Sequence, residues 1–208
     1  MSSPKPGKIV IISSPSGGGK TSICRKLLSP TRRRQGWTFS VSYTTRKKRI
    51  GERNGREYHF VKEEKFHSLV KKDYFAEYFK VHLYHYGTPR GPLDGIRNKG
   101  GVIILDVDVQ GAFKLRREYP DAITIFISPP SIAELKRRLR RRGTETDEQL
   151  KVRFKNAIDE MKLFYKFDYV VINKELNVAV KQVLSIINAH ECRTDYINKK
   201  QFTEKIGY

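Results

Sequence analysis

The chain has 208 residues, 38% hydrophobic and 31% charged, which indicates a globular protein large enough for one core with insertions. It has no apolar run near the roughly 20 residues of a membrane span and no apolar signal segment at its start, so we expect neither membrane insertion nor secretion. The net charge of +20, from 42 basic and 22 acidic residues, favours polyanionic partners such as nucleotides, nucleic acid or an anionic membrane surface.

The first predicted element is a buried strand over residues 8–13, followed by Ser-Pro-Ser-Gly-Gly-Gly-Lys-Thr and a helical pattern through Leu28. A strand, a glycine-rich turn and a helix that begins near Gly-Lys-Thr are typical of a phosphate-binding loop. Lys20 would reach the β- and γ-phosphates, and the Thr21 hydroxyl would serve Mg²⁺. The usual signature has Gly where this chain has Ser14, and the alternative is a turn that binds nothing. The residues predicted to bind the ATP phosphates are Ser14, Pro15, Ser16, Gly17, Gly18, Gly19, Lys20 and Thr21.

The segment 38–90 breaks the alternation of strands and helices and predicts an inserted domain. Residues 29–36 predict a loop, and Asn54-Gly55 is a strong hairpin signal. Extended structure is predicted for 37–43, 56–61 and 75–86, and a helix for 63–74.

The remaining elements predict an α/β fold, a parallel sheet core flanked by helices. Strands are predicted for residues 101–108, 122–127 and 169–173, and helices for 93–98, 109–119, from 131 onward and for 176–189. We expect a core from residues 1–37, 91–136 and 156–208, a mixed α/β insertion at 38–90 and a small helical insertion at 137–155.

Two further groups of residues suit phosphate chemistry. Residues 42–49 combine hydroxyls with four basic side chains, and an arginine fork binds phosphate through two parallel hydrogen bonds. The alternative is an ordinary basic loop. Asp106 ends a predicted strand beside the phosphate loop, where it would either organise Mg²⁺, directly or through water, or cap the next helix.

Four segments, 42–46, 51–60, 104–111 and 142–146, together closely resemble guanylate kinases, and the resemblance extends from about residue 7 to residue 190. It implies a P-loop NTPase core, ATP and GMP as substrates, Mg²⁺, an inserted GMP-binding domain and a lid. In that family two arginines and two tyrosines hold the GMP phosphate, and a carboxylate reads guanine with further polar groups. The matching residues are Arg46, Arg49, Tyr58 and Tyr86 for the phosphate, and Ser42, Glu77, Thr88 and Asp108 for the base.

The resemblance also implies which residues bind ATP, the phosphoryl donor, and which belong to the lid. Arg142 and Arg153 match lid arginines that reach the transferring phosphoryl group, and Arg138 and Asn173 match residues near the ATP base. The implied catalytic set is Lys20, Arg49, Arg142 and Arg153. From local sequence alone, Glu77 reads as a surface carboxylate, and Asn173 reads equally well as a turn residue.

The implied reaction is ATP-dependent phosphorylation of GMP, and we expect dGMP to serve as well. Because the acceptor phosphate is mostly dianionic at neutral pH, no general base is required. Two alternatives are a P-loop kinase for a ribose bisphosphate, which would lack the guanine-reading set, and a non-catalytic binding module, which would lack the ATP residues.

We expect a monomer or small homo-oligomer that does not require nucleic acid. Its two distant cysteines, Cys24 and Cys192, suggest free thiols in the cytoplasm.

Overall fold

A computed structural model describes residues 7–81, 83–141, 147–190, 192–194, 202–203 and 206–207. Within these ranges the core is a five-stranded parallel sheet. The strands are β1 (Lys8–Ser13), β2 (Trp37–Phe39), β7 (Val102–Asp106), β8 (Ile123–Ser128) and β9 (Tyr169–Ile172). Their order in the sheet is β2-β7-β1-β8-β9. All their carboxyl ends lie at one edge, where ligands bind in open α/β sheets.

Helices cover both faces of the core sheet, because alternate β1 side chains are apolar on each face. Val10 and Ile12 pack in one cluster with α1 (Lys20–Leu27) and α8 (Leu176–His190). Ile9 and Ile11 pack in a second cluster with α4 (Arg90–Lys99) and α5 (Val109–Glu118). Each fully buried aliphatic side chain contributes about 1.5–3 kcal/mol, so the phosphate loop follows a firmly anchored strand.

A second sheet is built entirely from residues 43–89. Its strands are β3 (Tyr43–Thr44), β4 (His59–Phe60), β5 (Phe75–Val81) and β6 (Tyr84–Pro89), and their order is β4-β3-β6-β5. β3 pairs in parallel with β4, whereas the β3–β6 and β5–β6 pairs are antiparallel. Helix α3 (Glu63–Lys71) packs on this sheet through Phe66 and Leu69, which meet Phe75 in a small apolar cluster.

Two helices, α6 (Ile132–Arg140) and α7 (Asp147–Met161), pack together through Leu135, Leu139 and Ala157. A 3₁₀ helix, Phe164–Lys166, precedes β9. Residues 142–146, and therefore the predicted site residue Arg142, lie outside the described residues. None of the helices in the described ranges is long and apolar enough to cross a bilayer.

The predicted α/β class with a parallel sheet core is confirmed, but the predicted loop at 29–36 is wrong. It contains helix α2 (Pro30–Arg34), whose Ser29 cap and first-turn proline are ordinary helix-start signals. Two side chains of the basic run here, Arg32 and Arg33, donate to the carbonyls of Leu27 and Leu28, at and just after the end of α1. These arginines therefore satisfy carbonyls that a helix end leaves free.

The hairpin predicted at Asn54-Gly55 is also wrong. Gly55 adopts a φ of 76°, as the turn requires, but Asn54 forms only an isolated parallel bridge with Tyr58. The Asn54 Oδ1 accepts from the Phe60 N–H at 2.8 Å, so the turn closes on the end of β4. β2 pairs with β7 as far as Phe39, so the core sheet extends into the range predicted for the insertion.

Candidate active site

The phosphate loop lies between β1 and α1, at the carboxyl edge of the core sheet. Gly17 and Gly19 have φ values of 90° and 91°, in the left-handed region that side chains disfavour. A Cβ at Gly19 would lie 2.2 Å from the Asn173 Nδ2, so glycine is required there on steric grounds as well. The absence of a side chain at Gly19 therefore lets the loop pack closely against Asn173, which follows β9.

Two of the predicted ATP-site residues, Arg138 and Asn173, form hydrogen bonds with the backbone of the phosphate loop. The Asn173 Nδ2 donates to the Gly18 carbonyl at 2.9 Å, and Arg138 donates to the same carbonyl at 3.4 Å. Arg138 also donates to the Asn173 carbonyl at 2.9 Å, and the Arg138 Nε donates to the Glu134 carboxylate at 2.7 Å. These bonds fix the loop conformation at the Gly18 carbonyl.

Lys20, Thr21 and Asp106 form one polar group beside the loop. The Lys20 Nζ lies 2.7 Å from an Asp106 oxygen and donates to the Val107 carbonyl. The Thr21 hydroxyl donates to the other Asp106 oxygen at 3.2 Å. Burial would lower the pKa of Lys20, but the Asp106 carboxylate outweighs it and raises that pKa above its usual value.

Asp106 does not cap α5, so that alternative is wrong. Asp108 has this role, because its Oδ1 accepts from the Gly111 N–H at 2.7 Å. Asp106 ends β7, the strand beside β1, and this register brings its carboxylate to Lys20.

Helix α7 brings two opposite charges to the phosphate loop at Ser16. Arg153, a predicted catalytic residue, donates to the Ser16 hydroxyl at 2.7 Å. The Glu160 carboxylate accepts from the Ser16 N–H at 3.2 Å, and burial raises the pKa of Glu160. Sequence reasoning missed Glu160, and its separation from Ser16 by 144 positions left no local signal.

A cavity of about 230 Å³ lies between the phosphate loop and the second sheet. It combines Lys20 of the phosphate loop and the adjacent Asp106 with most of the residues that the resemblance assigned to the acceptor. Thr88, Arg46 and Arg49 do not line it. The lining residues are Lys20, Ser42, Tyr58, Glu77, Phe79, Tyr86, Gly87, Asp106, Val107 and Asp108.

The most unusual side chain in the cavity wall is Glu77, which is only 6% exposed. The Thr88 hydroxyl donates to its Oε1 at 2.7 Å, and the Ser42 hydroxyl lies 3.4 Å from that of Thr88. Its Oε2 is buried and has no hydrogen-bond partner within the described ranges. Burial raises the pKa of Glu77 to about 7, and the interpretation as a surface carboxylate is wrong.

Glu52 contacts both arginines predicted for the acceptor phosphate, Arg46 through its side chain and Arg49 through its backbone. Arg46 is buried and donates to both Glu52 oxygens, at 2.8 and 3.0 Å, while its guanidinium carbon lies 5.6 Å from the Tyr58 ring centre. The Arg49 side chain is exposed, and its backbone N–H donates to Glu52 at 2.8 Å. Glu52 therefore sets the geometry of this basic segment.

Phe79 is a cavity residue that the sequence analysis missed although a signal existed. It follows Glu77 by two positions in β5, and alternate residues of a strand share a face. Its ring pairs across the sheet with Tyr86 and stacks on it, with centroids 6.0 Å apart and an angle of 19°. The cavity wall therefore includes a stacked aromatic pair on the same sheet face as Glu77.

The phosphate loop, the Lys20–Asp106 pair and the adjoining polar cavity define a P-loop phosphotransfer protein with a separate acceptor site. The sequence profile of the guanylate kinase family matches residues 6–190. The chain belongs to the guanylate kinase family.

Individual guanylate kinases are similar to this chain over nearly its whole length. The guanylate kinase of Clostridium tetani is 42% identical over 201 residues, which cover 97% of this chain and 95% of that protein. The guanylate kinase of Syntrophotalea carbinolica is 43% identical over 196 residues, covering 93% and 91%. The crystal structure of guanylate kinase from Anaplasma phagocytophilum superposes with a TM-score of 0.79 at 32% identity, covering 97% of this chain and 95% of that one.

Proposed function

We propose that this protein transfers the γ-phosphoryl group of ATP to GMP and releases ADP and GDP. One observation carries the choice of acceptor: a buried carboxylate, Glu77, lines a cavity beside the phosphate loop and has an oxygen to which none of the described residues donates. Family membership supports the same reaction.

Guanine supplies the donors that this carboxylate needs. Its N1–H and exocyclic amine would donate to Glu77, and the hydroxyls of Ser42 and Thr88 would serve the O6 and N7 side, with Asp108 as a second acidic contact. Adenine has neither the N1–H nor the 2-amino group, so it would leave Glu77 buried and unpaired. Sites of this kind reject such analogues strongly.

The acceptor phosphate would bind to Arg46, Arg49, Tyr58 and Tyr86. Arg46 is already fixed by Glu52, and Tyr58 and Tyr86 line the cavity with their rings in edge contact, 5.8 Å between centroids. Charge-assisted bonds from a guanidinium to a phosphate are among the strongest that proteins make.

On the donor side, the phosphate loop and Lys20 would hold the ATP phosphates, and Arg138 and Asn173 would contact the ATP base. The Thr21 hydroxyl and the Asp106 carboxylate are adjacent oxygen donors beside the loop, so this pair fits Mg²⁺, directly or through water. When bound, Mg²⁺ neutralises charge on the β- and γ-phosphates.

Catalysis in this proposal is positioning and charge compensation, with no general base. Lys20, Arg49, Arg142 and Arg153 would hold the two anions together; of these, Arg153 already contacts the loop at Ser16. Residues 40–90 would form the acceptor domain and 137–155 the lid, whose closure would exclude water as a competing acceptor. We also propose a cytoplasmic location.

A coupled assay of ADP release tests the reaction. Purified protein with ATP and Mg²⁺ should turn over GMP, with dGMP as a second substrate, and should leave AMP, UMP and CMP almost unused. Turnover of a ribose bisphosphate in place of GMP, or GMP binding without turnover, would contradict the proposal.

A further inference from the structure

A cluster of three potential metal ligands lies on the second sheet, away from the reacting groups. Glu63 and His67 are four residues apart on α3, and His85 lies on β6. Their ligand atoms all lie within 4.8 Å of one another. The Glu63 Oε2 is 2.9 Å from the His85 Nδ1 and 3.5 Å from the His67 Nε2.

We propose that Glu63, His67 and His85 bind a zinc ion that links α3 to β6. Nitrogen and oxygen ligands of a tetrahedral zinc ion, at about 2.0–2.2 Å from the metal, lie about 3.3 Å from one another. The two shorter separations bracket that spacing. Two imidazoles and one carboxylate suit zinc better than Mg²⁺ or Ca²⁺, which prefer oxygen ligands, and water can supply the fourth ligand.

The groups around the cluster orient two of its ligands. The His85 ring stacks on Phe66, with centroids 5.4 Å apart and an angle of 27°. The Thr45 hydroxyl accepts from the His85 backbone N–H at 3.0 Å and hydrogen-bonds the Glu63 carboxylate. Such outer contacts hold metal ligands in position before the ion arrives.

The site is open to an incoming ion but separate from the acceptor cavity. The Glu63 and His67 side chains are 46% and 57% exposed. His85 and Tyr86 are adjacent in β6 and point to opposite faces of the sheet, and Tyr86 lines the cavity. The zinc ion would therefore stabilise the sheet that carries Tyr86 without contacting substrate.

Calorimetric titration of untagged, chelator-treated protein with zinc chloride tests the site. We expect one equivalent to bind, and Glu63→Gln or His67→Asn to weaken binding by about tenfold or more. Glu64→Gln is the matched control, because it removes an exposed carboxylate from the same helical turn and should leave the affinity unchanged.

Thermal unfolding gives a second measurement that separates binding from folding defects. Zinc should raise the melting temperature of the parent and of Glu64→Gln, and at the same zinc concentration it should raise those of Glu63→Gln and His67→Asn by less, each relative to its own value in chelator. No bound equivalent in the parent, or equal zinc affinity in Glu63→Gln and the parent, would overturn the proposal.

Discussion

The proposed donor and acceptor sites differ in how their polar groups are satisfied before any substrate binds. On the donor side, Lys20 and Thr21 both bond Asp106, and Asn173 bonds the Gly18 carbonyl. On the acceptor side, Glu77 is buried with one oxygen that has no partner in the part of the chain that the structure describes, and its pKa is raised to about 7.

This difference assigns different tasks to the two regions. The phosphate loop keeps its shape through internal bonds, so ATP must draw Lys20 away from an ion pair that already satisfies it. The acceptor cavity retains an unpaired buried oxygen, and a ligand that donates to it removes a desolvation penalty. Rate should therefore depend most on the donor side, and choice of acceptor on Glu77.

Replacing Lys20 should have the largest effect. Lys20→Ala removes the cation that would move from Asp106 to the phosphates, and we expect kcat to fall by roughly 10³-fold. GMP affinity, measured by calorimetry, should stay within about twofold, about 0.4 kcal/mol. Although Lys20 lines the cavity, it contacts Asp106 and the Val107 carbonyl rather than the residues proposed to bind GMP.

Lys26→Ala is the control for this variant, since Lys26 lies on the same helix and bonds Asn177 on α8. It should retain the parent rate. Turnover of Lys20→Ala at the parent rate would show that the donor side does not depend on this cation.

Glu77→Gln tests the acceptor side of the comparison. The amide cannot accept two N–H donors as the carboxylate does, so the KM for GMP should rise by about 10- to 100-fold, with little change in the KM for ATP. Steady-state kinetics with each substrate varied would measure both constants. Glu64→Gln serves as the control, and an unchanged GMP KM would remove Glu77 from the guanine site.

The raised pKa of Glu77 predicts a pH dependence for GMP. The carboxylate accepts guanine donors only when ionised, so the KM for GMP should increase as pH falls below about 7, approaching about tenfold per pH unit. The phosphate of GMP also titrates, near pH 6, and Glu77→Gln isolates that contribution. A parent profile identical in shape to that of Glu77→Gln would contradict this assignment.

The same shift has an opposite consequence for stability. Between the ordinary Glu77 value of 4.5 and its folded value of about 7, the native state binds more protons than the unfolded state. The Glu77 contribution should therefore make the free energy of unfolding fall as pH rises through this window, and Glu77→Gln should remove that slope. Denaturant unfolding at several pH values would measure it.

The parts that sequence predicted well are those whose signal is contiguous. The phosphate loop occupies eight consecutive residues, 14–21, and β7 is an almost continuous apolar run, so local pattern was sufficient for both. Phe79 was missed but could have been predicted from a local pattern as well, because period-two alternation from Glu77 places it in the cavity wall.

Other contacts depend on the fold and carry no local signal. Glu160 reaches Ser16 only because α7 packs near the loop, and Glu52 orients Arg46 within an irregular segment. Glu77 gives the clearest case: its burial follows from the packing of the second sheet, whereas strand pattern alone favours an exposed carboxylate. The resemblance to a family, rather than any periodicity, is the source of the role that we propose for it.

The smallest predicted effect concerns the support of the phosphate loop by Asn173. Asn173→Ala removes the hydrogen bond to the Gly18 carbonyl, and one such bond contributes about 1 kcal/mol, so the KM for ATP should rise about fivefold. The KM for GMP should not change, since Asn173 does not line the acceptor cavity. Lys174→Ala, at the next and exposed position, is the control. An equal rise in the KM for ATP and the KM for GMP in Asn173→Ala would mean that the two sites are coupled through the phosphate loop. The proposed difference between a donor site with satisfied polar groups and an acceptor site with an unpaired carboxylate oxygen would then not hold.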